Sequence, residues 1–306
     1  MKDSAALYEP LKKRPSLDSA EEDSLISDDY WRSGWRRLKS NRMAMAGFWM
    51  LIVLLFMALI GPFLTPYTYY ETHLNLKNLS PSTRFWFGTD ELGRDLFTRV
   101  WWGARISLFI GIVASIVDLI IGVSFGAFAA SIGKKIEEIM MRVADVLYSI
   151  PYLLVVILLM VVIGSGITTI IIALTITGWI SMARITRGQI LQLKELDFIK
   201  AAQSMGASRL RILVSHLIPN AMGSIIVTVT LTVPTAIFAE AFLSFLGLGV
   251  QAPIASWGTM ASDGLPALRY YPWRLFFPAT FISITMLSFN MLGDGLRDAY
   301  DPRLRL

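Results

Sequence analysis

The sequence contains no cysteine and only two histidines, and this scarcity excludes several kinds of chemistry. Without cysteine the chain can form neither a disulfide nor a thiolate metal site. His73 and His216 are too far apart for the HExxH pair of a zinc peptidase. Neither GxxxxGKS nor GxxxxGKT occurs, so the chain has no P-loop to hold the phosphates of a nucleotide. We therefore expect no catalytic residue, no metal site, no cofactor and no enzymatic activity in this chain.

Charged residues are nearly absent from six long windows of the chain. Hydrophobic residues make up 54% of the sequence, more than the roughly 45–50% of a soluble domain. Only one window contains a charge, Asp118. The windows cover residues 44–64, 106–132, 146–163, 167–183, 218–239 and 275–293. Each window is close to the ~20 apolar residues that a helix needs to cross a bilayer. Because lipid offers the backbone no hydrogen-bond partner, these windows are predicted to be helices. The composition predicts an all-α, polytopic membrane protein with six transmembrane helices.

The distribution of lysine and arginine predicts which side of the membrane each loop occupies. With residue 1 in the cytoplasm, 21 of the 28 cations fall on the inside and 7 on the outside. Cytoplasmic loops carry an excess of these residues, which favours this orientation and places both termini in the cytoplasm. The net charge of +5 follows from this topology, so we expect no nucleic acid as a partner.

The start of the chain differs in composition from the rest. Residues 1–30 hold eight acidic and four basic side chains without apolar periodicity, which predicts a disordered acidic tail. The next stretch, WRSGWRRLKSNRMAM, predicts a short basic amphipathic helix at the inner membrane surface, with Trp31 and Trp35 one turn apart. Its cations could also bind anionic lipid headgroups.

The longest outside segment, residues 65–105, carries a turn signal and an aromatic cluster. The stretch FGTDELGRD is typical of a turn in which Asp90 caps a following helix. Its acids could be imagined as a calcium loop, but their spacing does not match an EF-hand, so a capped surface helix is the better interpretation. Phe97, Trp101 and Trp102 are predicted to belong to an aromatic belt at the outer interface.

A charged, jointed segment, DFIKAAQSMGASRLRILVSHLIPN (residues 197–220), lies between the fourth and fifth windows, on the predicted inside. Asp197 is predicted to cap a helix of about two turns. An apolar stripe at i, i+3, i+4 and i+7 follows, formed by Phe198, Ala201, Ala202 and Met205. Gly206 is predicted to end this helix in the left-handed conformation.

A second helix is predicted after the glycine, with Ser208 as its cap. Its apolar stripe consists of Leu210, Leu213, Val214 and Leu217. Pro219 then permits a fresh start for the fifth span. Pro151 and Pro234 are predicted to kink the third and fifth spans.

Two interpretations of the first stripe are open. A helix of two turns is marginal alone and needs a tertiary contact to persist. Its central alanines allow another backbone to approach closely, so the stripe could fill a groove of a cytoplasmic partner. It could equally pack against the chain's own helix ends, and periodicity does not decide between the two.

Polar side chains inside the windows are candidates for a translocation pathway. Asp118 costs at least about 2.5–3.5 kcal/mol at mid-span, and could contact a substrate amine, bond another helix, or be a satisfied structural carboxylate. Glu240, near the outer end of the fifth window, could face the pathway or the outer loop. Hydroxyls form one stripe along that window, Ser224, Thr228, Thr232 and Thr235. They could line the pathway as adaptable donors and acceptors, or bond back to their own helix carbonyls.

Several motifs carry a family resemblance. The jointed segment resembles the cytoplasmic loop of binding-protein-dependent ABC importer permeases, whose signature is EAA, three residues, G, nine residues, I-x-L-P. Here Ala201, Ala202, Gly206 and Pro219 hold matching positions. FGTDELGRDLFTRVWWGARIS, AEAFLSFLGLGVQAPIASWGTMASDG and the ending NMLGDGLRDAYDPRLR resemble the C-type permease of the oligopeptide and dipeptide branch. The resemblance covers the chain from about residue 31 to its end.

The resemblance implies a fold, a function and partners. The fold is the type I ABC importer (MetI-like) permease, and the function is to translocate peptides, oligopeptides first, from an extracytoplasmic binding protein. The implied partners are a second, B-type permease in a heterodimer and two separate ABC ATPase subunits. The location is a bacterial cell membrane, with lipid around a multi-pass chain. A dipeptide or nickel importer of the same family is the alternative.

By the same resemblance, the jointed segment is a coupling helix seated in a cleft of the ATPase. The residues implied in coupling are Asp197, Phe198, Lys200, Ala201, Ala202, Met205, Gly206 and Arg209. One position departs from the family, because the signature glutamate is Lys200 here. A contact that relies on that carboxylate is not carried over, although Asp197 or Glu195 could substitute.

The resemblance also divides the chain into parts. They are the tail (1–30), the N-terminal helix with first span and outer segment (31–103), the permease core (104–294, coupling loop 185–219) and a C-terminal tail (295–306). Two rival classes are a secondary transporter or channel without an ATPase, and a membrane enzyme. The first would usually show a charged intramembrane relay, and the second would need a nucleophile with its base or a metal-ligand cluster. The sequence shows neither.

Overall fold

The computed structural model describes residues 32–300, and all regular structure in that part is helical. Residues 32–40 form α1, and Asn41 then caps α2, Arg42–Ile60. After the outer segment, α3 covers Leu96–Ile132. The one β-type pairing among these residues is an isolated bridge between Thr89 and Asp95. The all-α prediction is confirmed. The predicted acidic tail and Trp31 lie outside the described residues.

The rest of the chain alternates long and short helices. They are α4 (Lys134–Tyr148), α5 (Tyr152–Ile163), α6 (Ile167–Lys194), α7 (Asp197–Ser204), α8 (Arg209–Ile212), α9 (Ile218–Phe245), α10 (Trp257–Gly264) and α11 (Trp273–Tyr300). A π-helical turn, Leu213–Leu217, joins α8 to α9. Two 3-10 turns, Gly61–Phe63 and Leu74–Leu76, lie between α2 and α3.

Five helical stretches of residues 32–300 are long and apolar enough to cross a membrane, and α4 with α5 makes a sixth if counted together. The five are Arg42–Phe63, Leu96–Ile132, Ile167–Lys194, Arg209–Phe245 and Trp273–Tyr300. The predicted third span is broken, since α4 and α5 meet at 76° and α5 has 12 residues. The bend occurs at Pro151, because proline lacks an N–H and disfavours a helical conformation in the preceding residue. α5 alone is about 18 Å long, shorter than the ~30 Å hydrocarbon core.

α3 and α6 form the centre of the bundle, because small residues let their backbones approach. A side chain at Gly122 would meet Met182, and one at Gly126 would overlap the backbone carbonyl of Ala183. Glycines four residues apart on one face are typical of close helix pairs in membranes, where packing drives association. α9 then packs on α3, where a side chain at Gly111 would collide with Ile237.

The outer segment folds back on the start of α3 through a buried ion cluster. Asp90 pairs with Arg94 at 2.6 Å and with Arg99 at 3.5 Å, and all three side chains are less than 10% exposed. α3 is capped by Asp95, whose carboxylate accepts from the Thr98 N–H at 2.8 Å. Burial raises the pKa of Asp95, and the hydrogen bonds from Thr98 oppose that rise.

The predicted cap at Asp90 is therefore wrong, and the cap is Asp95. The Asp90 carboxylate instead closes a tight loop, accepting from the backbone N–H groups of Leu92 and Arg94 at 2.9 Å. α3 also begins ten residues before the predicted second window. This extension can hold arginines because Arg105 donates to the carbonyls at the end of α2, at 2.6 Å.

Two members of the predicted aromatic belt lie in the core. Phe97 and Trp101 are each 4% exposed, and Trp101 packs against Phe281 of α11 with ring centroids 4.7 Å apart. The belt prediction is wrong for these two residues, because the outer segment and α11 surround the start of α3. Trp102 is partly exposed and stacks on Tyr69 at 4.2 Å.

The substitution Gly93→Ala is expected to destabilise the protein. Gly93 has φ +73°, and an added Cβ would overlap the backbone carbonyl oxygen of His73, which cannot turn aside. Left-handed strain and this overlap together should cost roughly 2 kcal/mol or more. The measurement is the Tm of the purified protein in detergent.

The matched control is Gly188→Ala in α6, where an added Cβ meets nothing within 4 Å. Alanine is the better helix former, so this variant should keep or gain about 0.5–1 kcal/mol. Equal falls in Tm for the two variants would contradict the packing described for the outer segment.

Candidate functional site

The jointed segment consists of two short helices, α7 and α8, that connect α6 to the long helix α9. α7 starts at Asp197, and its N-cap position is Leu196, which makes no side-chain cap bond. The prediction that Asp197 is the cap is therefore wrong. Asp197 occupies the first helical turn, where its negative charge still interacts favourably with the helix dipole.

Gly206 ends α7 as predicted from the sequence. Its φ is +85°, and its N–H donates to the Gln203 carbonyl at 2.9 Å while the Ala207 N–H donates to Ala202 at 3.1 Å. These two bonds form a Schellman motif, which satisfies the last carbonyls of the helix. Ser208 caps α8 as predicted, accepting from the Arg211 N–H at 3.3 Å.

The inner face of the segment packs on the chain's own bundle. Ile199 and Ala202 are 0% and 6% exposed, and Ile199 joins a buried cluster with Ala127 and Ala130 of α3 and Ile190 of α6. Leu213 and Leu217 belong to the same cluster. The interpretation that the stripe packs on its own helix ends therefore holds for Ala202.

The face of α7 and α8 that points away from the helix bundle is apolar and is not covered by other described residues. Phe198 is 45% exposed, Met205 83%, Leu210 70% and Val214 55%, and Ala201 is also exposed. We call these five residues the exposed crest. The two predicted stripes are thus each split between a buried and an exposed face. Lys200 and Arg209 are exposed around the crest, and the Lys200 ammonium lies 4.0 Å from Glu195.

α8, the π-helical turn and α9 form one continuous helical rod, Arg209–Phe245. At 1.5 Å per residue the rod is about 55 Å long. Pro219 lies at the start of α9, just after the Ile218 N–H donates to Leu213, five residues back. The widened π turn accommodates the missing N–H of the proline. Pro219 marks a change of helical pitch, and the chain does not begin a separate helix there.

The hydroxyl stripe of α9 lies on an accessible face. Ser224, Thr228 and Thr232 are partly exposed and Thr235 is exposed. The three threonine hydroxyls donate to carbonyls of their own helix at 2.8, 2.8 and 3.0 Å. Their protons are therefore used within the helix, while their oxygen lone pairs remain free to accept a hydrogen bond.

Asp118 lies between α3 and α6 and is 8% exposed. It faces Gly178, where an added Cβ would overlap the carboxylate. Among residues 32–300 no group hydrogen-bonds its Oδ1, and the hydroxyl of Ser115, one turn away, also has no partner. The Oδ1 oxygen is therefore unsatisfied, and no hydrogen bond described for residues 32–300 joins this carboxylate to another helix.

Glu240 lies neither on an open pathway nor in the outer loop. It is 0% exposed, and its two carboxylate oxygens accept from Ser107 at 3.1 Å and Ser244 at 2.8 Å. Its prediction as a residue that lines the pathway is not supported by this burial.

The sequence did not predict the ion pairs that join the C-terminal half of α6 to α4. Arg187 donates to Glu137 at 2.6 Å and Arg184 to Asp145 at 2.8 Å, joining α6 to α4. Lys194, the last residue of α6, donates to the Ala130 carbonyl at 2.5 Å. The signal was present, since acids eight residues apart lie on one face of a helix. These contacts fix the point from which α7 leaves the bundle.

Known proteins share both the sequence and the fold. The family model described as binding-protein-dependent transport system inner membrane component matches residues 122–306. The N-terminal TM domain of oligopeptide transport permease C matches residues 29–81. The oligopeptide transport system permease protein OppC of Bacillus subtilis (strain 168) is 59% identical, covering 98% of this chain and 97% of that protein.

Further relatives agree. The dipeptide transport system permease protein DppC of Bacillus subtilis (strain 168) is 58% identical over 96% of this chain and 91% of its own length. The inward-facing MetNI methionine ABC transporter contains a chain with a TM-score of 0.55 and 19% identity, covering 64% of this chain and 94% of that one. At that identity the likeness shows the fold alone. The chain belongs to the family of binding-protein-dependent transport system inner membrane components and is a multi-pass permease subunit of an ABC importer.

Proposed function

We propose that this chain forms one half of the membrane pathway of an ATP-driven peptide importer, and that its exposed crest docks in a groove of a separate ATPase subunit. The observation that carries the proposal is an uncovered apolar crest at the end of a continuous helical rod. Phe198 and Met205 are large apolar side chains that face outward from α7. An amphipathic helix with such anchors is typical of helix-in-groove recognition.

The inner face of α7 explains how docking would move the bundle. Ile199 fixes the short helix to α3 and α6, and the rod Arg209–Phe245 continues from the same segment. Movement of a docked ATPase would therefore displace the segment together with the base of α6 and the rod. Packed helices move as rigid pieces, so this displacement would switch the pathway from inward-facing to outward-facing.

The substrate class follows from the relatives and the hydroxyl stripe. We propose oligopeptides first, with dipeptides as the alternative, because relatives of both names are nearly equally similar. Free oxygen lone pairs on Thr228, Thr232 and Thr235 would accept from the N–H groups of any peptide, which suits a wall without deep specificity. The proposed partners are a B-type permease in a heterodimer, two ATPase subunits and an extracytoplasmic peptide-binding protein.

The proposed organisation keeps the division made from the sequence, with a permease core at 104–294 and a coupling loop at 185–219. We place both termini and the exposed crest in the cytoplasm, supported by the excess of inside cations. In this orientation the ion cluster of Asp90, Arg94 and Arg99 lies outside.

Met205→Glu is expected to abolish peptide uptake while leaving the chain folded. The side chain is 83% exposed, so the new charge costs little in the isolated subunit, but a carboxylate buried in an apolar groove costs several kcal/mol. The measurement is ATP-dependent uptake by the complete transporter in proteoliposomes, with co-purification of the ATPase subunits. Both should fall by about tenfold or more.

The control Gln203→Glu adds the same charge two residues away, on an exposed position outside the crest. It should retain uptake within about twofold. Uptake by wild-type protein in liposomes that contain no ATPase subunit would exclude the proposed mechanism.

Asp118→Asn is expected to stabilise the chain and to reduce transport. An unpartnered buried polar group costs about 1–3 kcal/mol, and a neutral amide should recover part of this. A site that holds such a group against stability is typical of a functional position. The readouts are Tm in detergent, which should rise, and peptide uptake, which should fall. Asp298→Asn, at an exposed position of α11, is the control, and unchanged uptake in Asp118→Asn would remove Asp118 from the pathway.

The absence of cysteine makes the orientation directly testable. Single cysteines at Thr83 and at Gln203, both exposed, should react from opposite sides of the membrane with an impermeant maleimide. Thr83→Cys should be labelled in intact cells, and Gln203→Cys only after permeabilisation. The reverse pattern would overturn the proposed topology.

A further inference from the structure

We propose that Glu240 is the positioning residue that ties the short helix α10 to the rod, so that displacement of the exposed crest at one end moves α10 at the other. This inference rests on the proposed function, because it needs the crest to be displaced by an ATPase. Ile218, where α9 begins, and Glu240 are separated by about 33 Å along the helix. The proposal therefore concerns the end of the bundle opposite to the jointed segment.

The polar contacts of Glu240 run from α9 to α3 and on to α10. The Ser107 hydroxyl of α3 donates to Glu240 Oε2 at 3.1 Å. The same hydroxyl accepts from the Trp257 N–H, in the first turn of α10, at 3.1 Å. Ser107, Glu240 and Trp257 are each 0% exposed. Ser107 is thus a relay, with its proton directed to the carboxylate and its lone pair to the amide of α10.

α10 packs so closely on its neighbours that it has little space to move independently of them. A side chain at Gly258 of α10 would collide with Ala241 of α9, and one at Gly103 of α3 would press on Ser256. The Trp257 indole N–H donates to the Val100 carbonyl of α3 at 2.9 Å. α10 also packs on α11, and its close contacts with α9 and α3 mean that a shift of α9 relative to α3 would change the position of α10.

Glu240 has two further polar contacts, with Ser256, the N-cap of α10, and with Ser244. The contact with Ser244 has a different character. The Ser244 hydroxyl donates to Glu240 Oε1 at 2.8 Å, but Ser244 lies four residues further along α9 itself. This bond stays within one rigid helix and connects it to nothing else. A second polar link, from the Ser262 hydroxyl of α10 to the Phe245 carbonyl at 3.3 Å, lies at the last turn of α9. Among the hydrogen bonds described for residues 32–300, the Ser107 relay is the one between side chains that joins α9 to α3.

The two serines provide a matched pair of variants. Ser107→Ala and Ser244→Ala each delete one buried hydroxyl that donates to the same carboxylate, at positions 0% and 3% exposed. Ser107→Ala also removes the acceptor of the Trp257 N–H, so it should cost more stability than Ser244→Ala. If Glu240 serves only stability, neither variant should change the ratio of peptide uptake to ATP hydrolysis. If it positions α10, Ser107→Ala should uncouple transport and Ser244→Ala should not.

The experiment uses the complete transporter in proteoliposomes and records ATP hydrolysis and peptide uptake together. For Ser107→Ala we expect uptake to fall by about five- to tenfold at nearly unchanged ATP hydrolysis, the range of a typical coupling free energy. For Ser244→Ala we expect both activities to stay within about twofold of wild type. Equal effects of the two variants on uptake, or parallel loss of uptake and hydrolysis in Ser107→Ala, would overturn the proposal.

A distance measurement provides a second readout that a purely stabilising role would not move. Spin labels at Leu265→Cys, just after α10, and Thr83→Cys, in the outer segment, report how α10 moves between the nucleotide-free and ATP-bound states. The distance should change in wild type and in Ser244→Ala, and should stay constant in Ser107→Ala. A wild-type transporter without ATP-dependent uptake would instead refute the proposed function, which keeps the two failures distinct.

Discussion

The absence of water in the bilayer is the constraint on which the structure depends. Every backbone polar group within the membrane must bond inside its own helix, and every buried polar side chain must find a partner or incur a penalty. The long helices satisfy the first requirement. Ser107 with Glu240 satisfies the second within the helix bundle, and Asp90 with its two arginines does so at the start of α3. Asp118 is one of several exceptions among residues 32–300, and it lies at a packed junction of the two central helices.

The proposed mechanism requires the short segment of α7 and α8 to be fixed firmly to the helix bundle. α7 is too short to be stable alone, so it is fixed by Ile199 and Ala202 and stopped by Gly206. Its remaining apolar side chains have no cover among the described residues. The π turn continues the helix past Pro219 without a break. α8 is therefore continuous with α9 in the rod. In the proposed mechanism, this rigid connection between the exposed crest and α9 would transmit the movement of the ATPase to the membrane pathway.

Much of the fold could be predicted because hydrophobic runs and helix-stop residues act locally. Gly206 and Ser208 have their predicted roles, since a left-handed glycine and a capping hydroxyl depend on neighbouring backbone alone. Asp90 and Asp197 were assigned wrongly as caps, because a suitable residue type does not reveal a competing partner such as Arg94. The kink predicted at Pro151 is present, but the sequence does not reveal that it is a break with a 76° bend between α4 and α5.

By itself, the sequence determined the all-α membrane class, the joint at Gly206 and the family, because these depend on composition, local chemistry and motif spacing. Only the tertiary structure decided which side of each apolar stripe is buried. A period of 3.6 residues places Ala201 and Ala202 on the same broad face, and only the folded chain buries Ala202 and leaves Ala201 exposed. Glu240 likewise became an inter-helix connector only when folding brought Ser107, 133 positions away in the chain, within hydrogen-bond distance.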